Sequence, residues 1–220
     1  MFSLNLKTSV EETVYSFCSQ PNCTDGMYPT DSLIALKGKL YGTTGSGGST
    51  NNGGTVFSID LKTGAESVVY SFCQQCSDAS GPDGNLLNVN GILYGTTYNG
   101  GTGTCDCGAV FSVEPVTGTE KVLYSFQGGT DGGNPAAGLI ELKGKLYGTT
   151  LYGGEDQSCP GCGTVFSVDP ATGSENVVHA FGTPDGIEPF VGLTRVKNEL
   201  YGATVSGGSY SSGTVYQVKP

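Results

Sequence analysis

The chain has 220 residues, with 37 glycines, 10 prolines and a formal net charge of −10. So much glycine and proline makes long packed helices improbable, and the 10 basic residues form no cluster to neutralise phosphates, which excludes nucleic acid and anionic membranes as partners. Apolar residues make up 36% of the chain and are spread evenly, so we expect a soluble globular protein without membrane insertion.

The N-terminal residues, MFSLNLK, lack the basic stretch and the apolar run of about 7 to 15 residues that mark a signal peptide. We therefore expect that a signal peptide has been removed or that the chain is a piece of a longer one. Residues 2–6 and 13–17 predict two strands. Asn22-Cys23-Thr24 matches the glycosylation sequon, which makes Asn22 a candidate glycosylation site.

A repeat of about 54 residues organises the rest of the chain. Its first element is LYGTT, or LYGAT in the last copy, followed in phase by a glycine pair. Its second element is a run such as GTVFSID or GTVYQVK. LYGTT or LYGAT begins at Leu40, Leu93, Leu146 and Leu200, and the second run begins at Gly54, Gly108, Gly163 and Gly213.

Each unit predicts four antiparallel strands, named a to d, because β-branched and aromatic residues alternate with polar ones between turn residues. In the third unit we place strand a at 139–142, b at 146–150, c at 164–168 and d at 176–181. Proline and glycine in the segment Asp169-Pro170-Ala171-Thr172-Gly173 make the turn between c and d tight.

Four such units predict an all-β fold, a four-bladed β-propeller with four antiparallel strands per blade. We expect a single domain over 1–220, with units at about 32–84, 85–137, 138–190, and 191–220 completed by 1–31. In this arrangement the strand at 13–17 completes the last blade beside 214–218 and closes the ring without a covalent bond.

Two resemblances follow from these motifs. The turn, the aromatic strand with its glycine pair, and the Asp-Pro-x-Thr-Gly ending resemble kelch repeats, although the chain has no tryptophan. LYGTT, GTVFSVDPATG and LYSFxGGxDGxxPxAGL more closely resemble the tandem repeats of the GloVer group of bacterial "choice-of-anchor" surface proteins, over nearly the whole chain. This resemblance implies an exported, surface-anchored repeat protein with no assigned chemistry.

The eight cysteines form four close pairs in polar, glycine-rich segments: Cys18 with Cys23, Cys73 with Cys76, Cys105 with Cys107, and Cys159 with Cys162. Their even number and the low charge of the chain favour disulfides in an oxidising compartment, and hence an extracellular or cell-surface location. A zinc site and free thiols are the alternatives. We predict local bridges for the first and last pairs and crossed bridges between the two middle pairs, because a Cys-x-Cys bridge is strained.

Catalytic chemistry is not indicated, and no metal or other cofactor is expected. His179, the only histidine, occupies the phase of a tyrosine in other units, so it is interpreted as a substituted structural aromatic. Four aspartates precede glycine between strands d and a, and we interpret them as turn residues, with a calcium-binding ring as the alternative. They are Asp25, Asp83, Asp131 and Asp185.

Departures from the repeat are the better candidates for binding, because the fold does not require them. Four tyrosines lie in loops that we expect on one face, where they would form an aromatic platform for a glycan or a peptide. The alternative is that they pack over their own loops. They are Tyr28, Tyr98, Tyr152 and Tyr210.

Strand c occurs five times, whereas strands a, b and d each occur four times. A surplus strand offers unpaired backbone groups to another chain, so we expect the terminal strands to mediate self-association, with a filament as the strongest form. The alternative is a cut from a longer array. The residues expected to take part are Phe2, Leu4, Leu6, Val215, Tyr216 and Val218.

The function that these observations favour is a non-enzymatic, exported structural or adhesive protein whose partner is another copy of itself. A glycan- or peptide-binding module that uses the loop face is the alternative.

Overall fold

The computed structural model describes residues 1–49, 51–72, 79–103, 105–154 and 161–220, and the fold is all-β. The strands pair in antiparallel fashion within five separate sheets. A short 3-10 turn at Pro21–Cys23 is the one helical element of the described residues. None of the helical structure described is long and apolar enough to cross a membrane.

The sheets follow one another along the chain. The first contains β1 (Phe2–Asn5) and β2 (Val10–Thr13). The second contains β3 (Met27–Pro29), β4 (Ile34–Leu36), β5 (Lys39–Ser46), β6 (Thr55–Asp60) and β7 (Glu66–Ser71). The third contains β8 (Ala79–Val89), β9 (Ile92–Gly100), β10 (Ala109–Val113) and β11 (Glu120–Ser125). The fourth contains β12 (Ile140–Leu142), β13 (Lys145–Thr150), β14 (Thr164–Val168) and β15 (Glu175–Ala180). The fifth contains β16 (Thr194–Val196), β17 (Glu199–Ala203) and β18 (Val215–Val218).

The predicted strand order a-b-c-d within a unit is confirmed in the third and fourth sheets, where β8 to β11 and β12 to β15 pair in sequence. Strand c of the third unit has the predicted bounds, and the ends of strands a, b and d differ from the prediction by at most one residue. In the second sheet β3 and β4 both pair with β5, so the segment before strand a extends the sheet.

The glycine of the LYGTT motif is explained by close packing across each sheet. A Cβ atom on Gly148 would lie 2.6 Å from Cζ of Phe166, which belongs to the neighbouring strand β14. The aromatic ring of strand c therefore lies directly over the glycine of strand b, and no larger residue leaves room for it.

The last threonine of the motif ties strand b to strand c. In the fourth sheet the hydroxyls of Thr150 and Thr164 lie 2.9 Å apart, and the amide of Thr164 donates to the Thr150 hydroxyl. The same hydroxyl pair recurs between Thr44 and Thr55 at 2.9 Å. Both pairs are buried, so these hydrogen bonds satisfy groups that water does not reach.

The hydrophobic core lies between neighbouring sheets. One cluster joins Phe126 of the third sheet's unit to Leu146 and Phe166 of the fourth sheet. Similar clusters join the second sheet to the third and the fourth to the fifth. Each unit is therefore stabilised mainly by its neighbour, as in other repeat architectures.

The ring closure predicted from the sequence is wrong for this structure. β2 ends at Thr13 and pairs with β1, and no strand of the described residues joins β2 to β18. The N-terminal segment instead packs against the second sheet. The Phe17 ring lies edge-on to the Phe57 ring, with centroids 4.7 Å apart. The five sheets contain two to five strands and do not form a closed ring.

Candidate functional site

Two disulfides are described, and both are local. Cys18 bonds to Cys23 and Cys105 bonds to Cys107. Cys162 is also disulfide-bonded, whereas Cys73, Cys76 and Cys159 lie outside the described residues. The cysteines that the structure describes are therefore oxidised, as the sequence predicts.

The predicted crossed bridges are wrong for Cys105 and Cys107, because these residues bond to each other. Asp106 between them has φ of 55°, a left-handed conformation that reverses the chain within one residue. The Cα atoms of the two cysteines are 5.2 Å apart, inside the normal disulfide range of about 4.4–6.8 Å. This backbone conformation lets the two cysteines meet across a single residue.

The turn aspartates act as hydrogen-bond acceptors within their own loops. Asp25 is 2% exposed and accepts from the Tyr15 hydroxyl at 2.8 Å and from the Ser19 amide at 2.9 Å. Asp131 accepts from the Tyr124 hydroxyl at 2.9 Å in the same way. This geometry favours the interpretation as turn residues over a calcium-binding ring.

Asp83 is not an equivalent of these aspartates. It lies within β8 opposite Thr96, directly after Pro82. Pro82 contacts Gly54 where Pro135 contacts Gly108, so Pro82 marks the phase of the repeat. In the other units the aspartate lies four positions before the equivalent proline. The position four before Pro82 is 78, which is outside the described residues. Asp83 was therefore assigned to the wrong phase.

His179 takes the place of the tyrosine in its unit, as the sequence predicts. Its Nε2 atom lies 2.8 Å from Asp185, and its ring packs edge-on against Phe181 at 4.7 Å. The tyrosine at the same phase in the N-terminal segment, Tyr15, makes the corresponding contacts with Asp25 and Phe17.

Two glutamates at the start of strand d lie beside these aspartates, a feature that the sequence analysis missed. One carboxylate oxygen of Glu66 and one of Glu175 are buried without a hydrogen-bond partner among the described residues. Burial and the charge of Asp25 raise the pKa of Glu66 to about 7. Burial and the charge of Asp131 raise the pKa of Glu175 to about 7. The recurrence of Glu at the same phase was the available signal.

The four candidate tyrosines differ in their contacts and in their exposure. Tyr98 lies beside Tyr152, and burial together with this hydroxyl contact raises the pKa of Tyr98. Tyr152 is 44% exposed and Tyr210 is 91% exposed, while Tyr28 is also mainly exposed. The structure therefore supports a pair, Tyr98 with Tyr152, within the predicted set.

Asn22 is exposed, in the loop closed by the Cys18–Cys23 disulfide. Its φ of 57° places it in a tight turn, where an asparagine is well tolerated. The position is accessible to a glycosyltransferase in the folded chain, and glycosylation at Asn22 stays a prediction.

The predicted self-association residues differ in exposure. Phe2, Leu4 and Leu6 are exposed by 66%, 51% and 89%, and β1 and β2 contain no buried residue. In β18, Val215 is 81% exposed, whereas Tyr216 packs against Phe181. Val218 is buried at 7% exposure.

A groove of about 340 Å³ lies beside β18. Its walls come from β15 and its following loop on one side and from β18 on the other. The lining residues are Val178, His179, Asp185, Tyr216, Gln217, Val218 and Lys219. Among the described residues β18 pairs with β17 alone, so the groove occupies the position that strand d takes in a complete unit.

A second cavity of about 440 Å³ lies where the segments before strand a of four units meet. Asp31 and Asp83 both accept from the Gly84 amide, at 2.6 and 3.1 Å. Burial and the charge of Asp31 raise the pKa of Asp83. Phe190 and Val191 line the cavity and are about half exposed. No motif in the sequence pointed to this cavity, because its lining comes from four segments that are distant along the chain.

Comparison with known proteins gives a family and a fold. A family model described as the Gloeobacter/Verrucomicrobia repeat matches residues 1–107 and 54–220. No curated protein matches the sequence. The fold is similar to a chain of a nidogen/laminin complex, with 13% identity and a TM-score of 0.59, over 100% of this chain and 71% of that chain.

The fold is also similar to the extracellular domain of a one-component system protein from B. thetaiotaomicron, with 13% identity and a TM-score of 0.53. That match covers 86% of this chain and spans 20% of the other one. β-Propellers are among the structures that share this fold. The similarity to kelch repeats is not confirmed.

Proposed function

The chain belongs to the Gloeobacter/Verrucomicrobia repeat family, and we propose that it is an exported, non-enzymatic structural or adhesive protein of the cell surface that associates with further copies of itself. The units would act as propeller blades, and strands of neighbouring copies would complete the sheets that have fewer than four strands. The similarity to an extracellular domain and the oxidised cysteines support this location.

The observation that carries the proposal is the pair of incomplete sheets at the two ends of the repeat array. The first sheet has strands c and d alone, and the fifth sheet has strands a, b and c alone. Unpaired strand edges attract further strands because their amide and carbonyl groups are unsatisfied. Exposed apolar residues on β1 and β18 add surface that association would bury.

Light scattering and electron microscopy of the purified chain over a range of concentrations test this function. We expect oligomers or filaments whose population rises with concentration. A chain that stays monomeric at high concentration, both intact and without residues 1–7, would contradict self-association.

A second function, glycan or peptide binding, is favoured by the contact between Tyr98 and Tyr152. Neighbouring tyrosines offer apolar ring faces and hydroxyl groups, which suit a sugar surface. A glycan array should show binding that Tyr98→Ala and Tyr152→Ala each abolish. Tyr210→Ala is the matched control, because Tyr210 is 91% exposed and should not contribute. Equal loss in all three variants, or no binding, would contradict this second function.

A further inference from the structure

We propose that copies associate by strand exchange, in which β18 of one copy displaces β1 of the next copy and pairs with its β2. This inference rests on the proposed self-association and specifies its partner, the hairpin of β1 and β2 in a second copy. In the exchanged state β16, β17, β18 and the second copy's β2 form a complete four-stranded sheet.

The first argument is the register of the terminal hairpin. β1 pairs with β2 through Phe2 with Thr13 and Leu4 with Glu11. β6 pairs with β7 through the same positions one repeat later, Phe57 with Val68 and Ile59 with Glu66. β2 is therefore a true strand d, held by a copy of strand c.

The second argument is that β18 is the same strand c with its partner missing. Tyr216 in β18 lies opposite Gly202, as Phe57 lies opposite Gly42 and Phe166 opposite Gly148. Strand d pairs with the outer edge of β6 and of β14. At the same edge of β18 the described residues provide no strand, and the groove of about 340 Å³ lies there.

The third argument is the charge that the groove offers to an incoming strand. In a complete unit the first residue of strand d is a glutamate that lies near the tyrosine and aspartate of the preceding unit, as Glu66 does near Tyr15 and Asp25. At the groove the preceding unit provides His179 and Asp185 instead. The equivalent glutamate of β2 is Glu11, since EETVYSF at 11–17 matches ESVVYSF at 66–72. His179, whose Nε2 atom lies 2.8 Å from Asp185, is therefore placed where the carboxylate of Glu11 would arrive, so a charge introduced at position 179 should change this contact.

The fourth argument is that β1 is an exposed strand whose partner is β2. All four of its residues are exposed, and it pairs with β2 as its only strand neighbour among the described residues. β18 is anchored by β17 and by the contact between Tyr216 and Phe181, with ring centroids 4.8 Å apart. Exchange replaces β1 by β18 in the same register beside β2, so the number of backbone hydrogen bonds to β2 is kept. In addition, Val215 and the groove beside β18 become covered.

The exchange also preserves the junction that follows. Phe17 of the second copy stays packed on its own Phe57, so the next sheet continues the array without a change of spacing. The contact is head to tail, and each copy presents a new free β18. Such contacts propagate into a filament if they do not close into a ring.

Deletion of β1 separates this inference from the proposed function. Without residues 1–7, β2 is free from the start, so we expect association at a concentration at least about tenfold lower, because the four residue pairs between β1 and β2 no longer have to be separated. Without residues 1–17 there is no strand d to donate, and association should be lost. Circular dichroism of each variant confirms that the sheets are retained.

The outcomes are distinct. If the intact chain associates and deletion of 1–7 abolishes association, β1 itself is the docking strand and strand exchange is overturned, while self-association stands. If deletion of 1–7 gives a compact monomer of raised melting temperature, β2 closes a ring within its own chain, and the exchange between copies is overturned. If no variant associates at any concentration, the proposed function itself fails.

A charge exchange tests the contact directly. His179→Glu should weaken association at least tenfold, because it places a carboxylate beside Asp185 and Glu11, and adding Glu11→Lys in the same chain should restore it. Loss without restoration would overturn the predicted contact. A peptide with the sequence of residues 10–17 should block association of the intact chain by filling the groove, whereas its Glu11→Lys version should not. Equal effects of the two peptides would also overturn the contact.

Discussion

The ring of Phe181 packs edge-on against the ring of Tyr216, with centroids 4.8 Å apart, although the two residues belong to successive repeat units. The same contact joins Phe72 to Phe111 at 5.0 Å and Phe126 to Phe166 at 4.9 Å. The end of strand d in one unit therefore contacts strand c of the next. These aromatic pairs are the regular connection between sheets, and they explain why the core lies between the sheets.

Phe126→Ala should destabilise the chain by about 3–5 kcal/mol, because Phe126 is fully buried and its loss leaves a cavity beside Phe166. Chemical denaturation followed by circular dichroism measures the change. Val116→Ala is the control, since Val116 is 77% exposed and should change stability by less than about 0.5 kcal/mol. Similar effects of the two substitutions would contradict the role of the aromatic pairs.

Gly148→Ala should destabilise the fourth sheet by about 1–3 kcal/mol, because the added Cβ would lie 2.6 Å from the Phe166 ring. Thermal melting measures the loss. The matched control is Gly129→Ala, where a Cβ atom meets nothing within 4 Å. An unchanged melting temperature for Gly148→Ala would show that the ring does not lie over strand b.

Stability should rise as the pH falls from 8 to 5. The pKa values of Glu66 and Glu175 are raised to about 7, above the ordinary 4.5, so the folded chain binds their protons more tightly than the unfolded chain. Their contribution is fully present below pH 4.5 and is lost as the pH rises through about 7. Both carboxyls are partly solvated, so we expect on the order of 1 kcal/mol from each.

Urea denaturation at a series of pH values checks this pH dependence. Glu66→Gln with Glu175→Gln should flatten the profile between pH 5 and 8, because the amides do not titrate. Glu12→Gln is the control, since Glu12 is exposed. The stability should fall again in acid: burial raises the pKa of Asp25, but hydrogen bonds from Tyr15 and Ser19 outweigh it and lower that pKa below 3.8. A profile that rises steadily from pH 5 to 8 would contradict the assignment.

Peptide mapping without reduction should recover Cys18 joined to Cys23 and Cys105 joined to Cys107. Chymotryptic cleavage at Tyr94 separates Cys73 and Cys76 from Cys105 and Cys107, so local bridges stay within single peptides. Fragments that join Cys105 or Cys107 to Cys73 or Cys76 would support the crossed bridges instead. Alkylation of all eight cysteines without reductant would contradict both the bridges and the export of the protein.

The repeat itself was predictable from the sequence, because its motifs are required locally. Gly148 is needed beneath the Phe166 ring, and Thr150 is needed to pair with Thr164. These contacts join neighbouring strands of one unit, so the alternation and spacing of residues are sufficient to predict the strands and their order. The substitution of His179 for a tyrosine was predictable for the same reason, since the phase of the repeat identifies its role.

Tertiary structure alone decided how the units meet and where the chain leaves its strands unpaired. Sequence spacing places residues 13–17 in strand d, but whether that strand pairs with β1 or with β18 depends on competition between two copies of strand c with the same pattern. The Cys105–Cys107 bond depended on the conformation of Asp106, and the proximity of Glu66 to Asp25 depended on packing between units. Local patterns specify a strand and its register, whereas the choice among equivalent partners is a difference in free energy between whole arrangements.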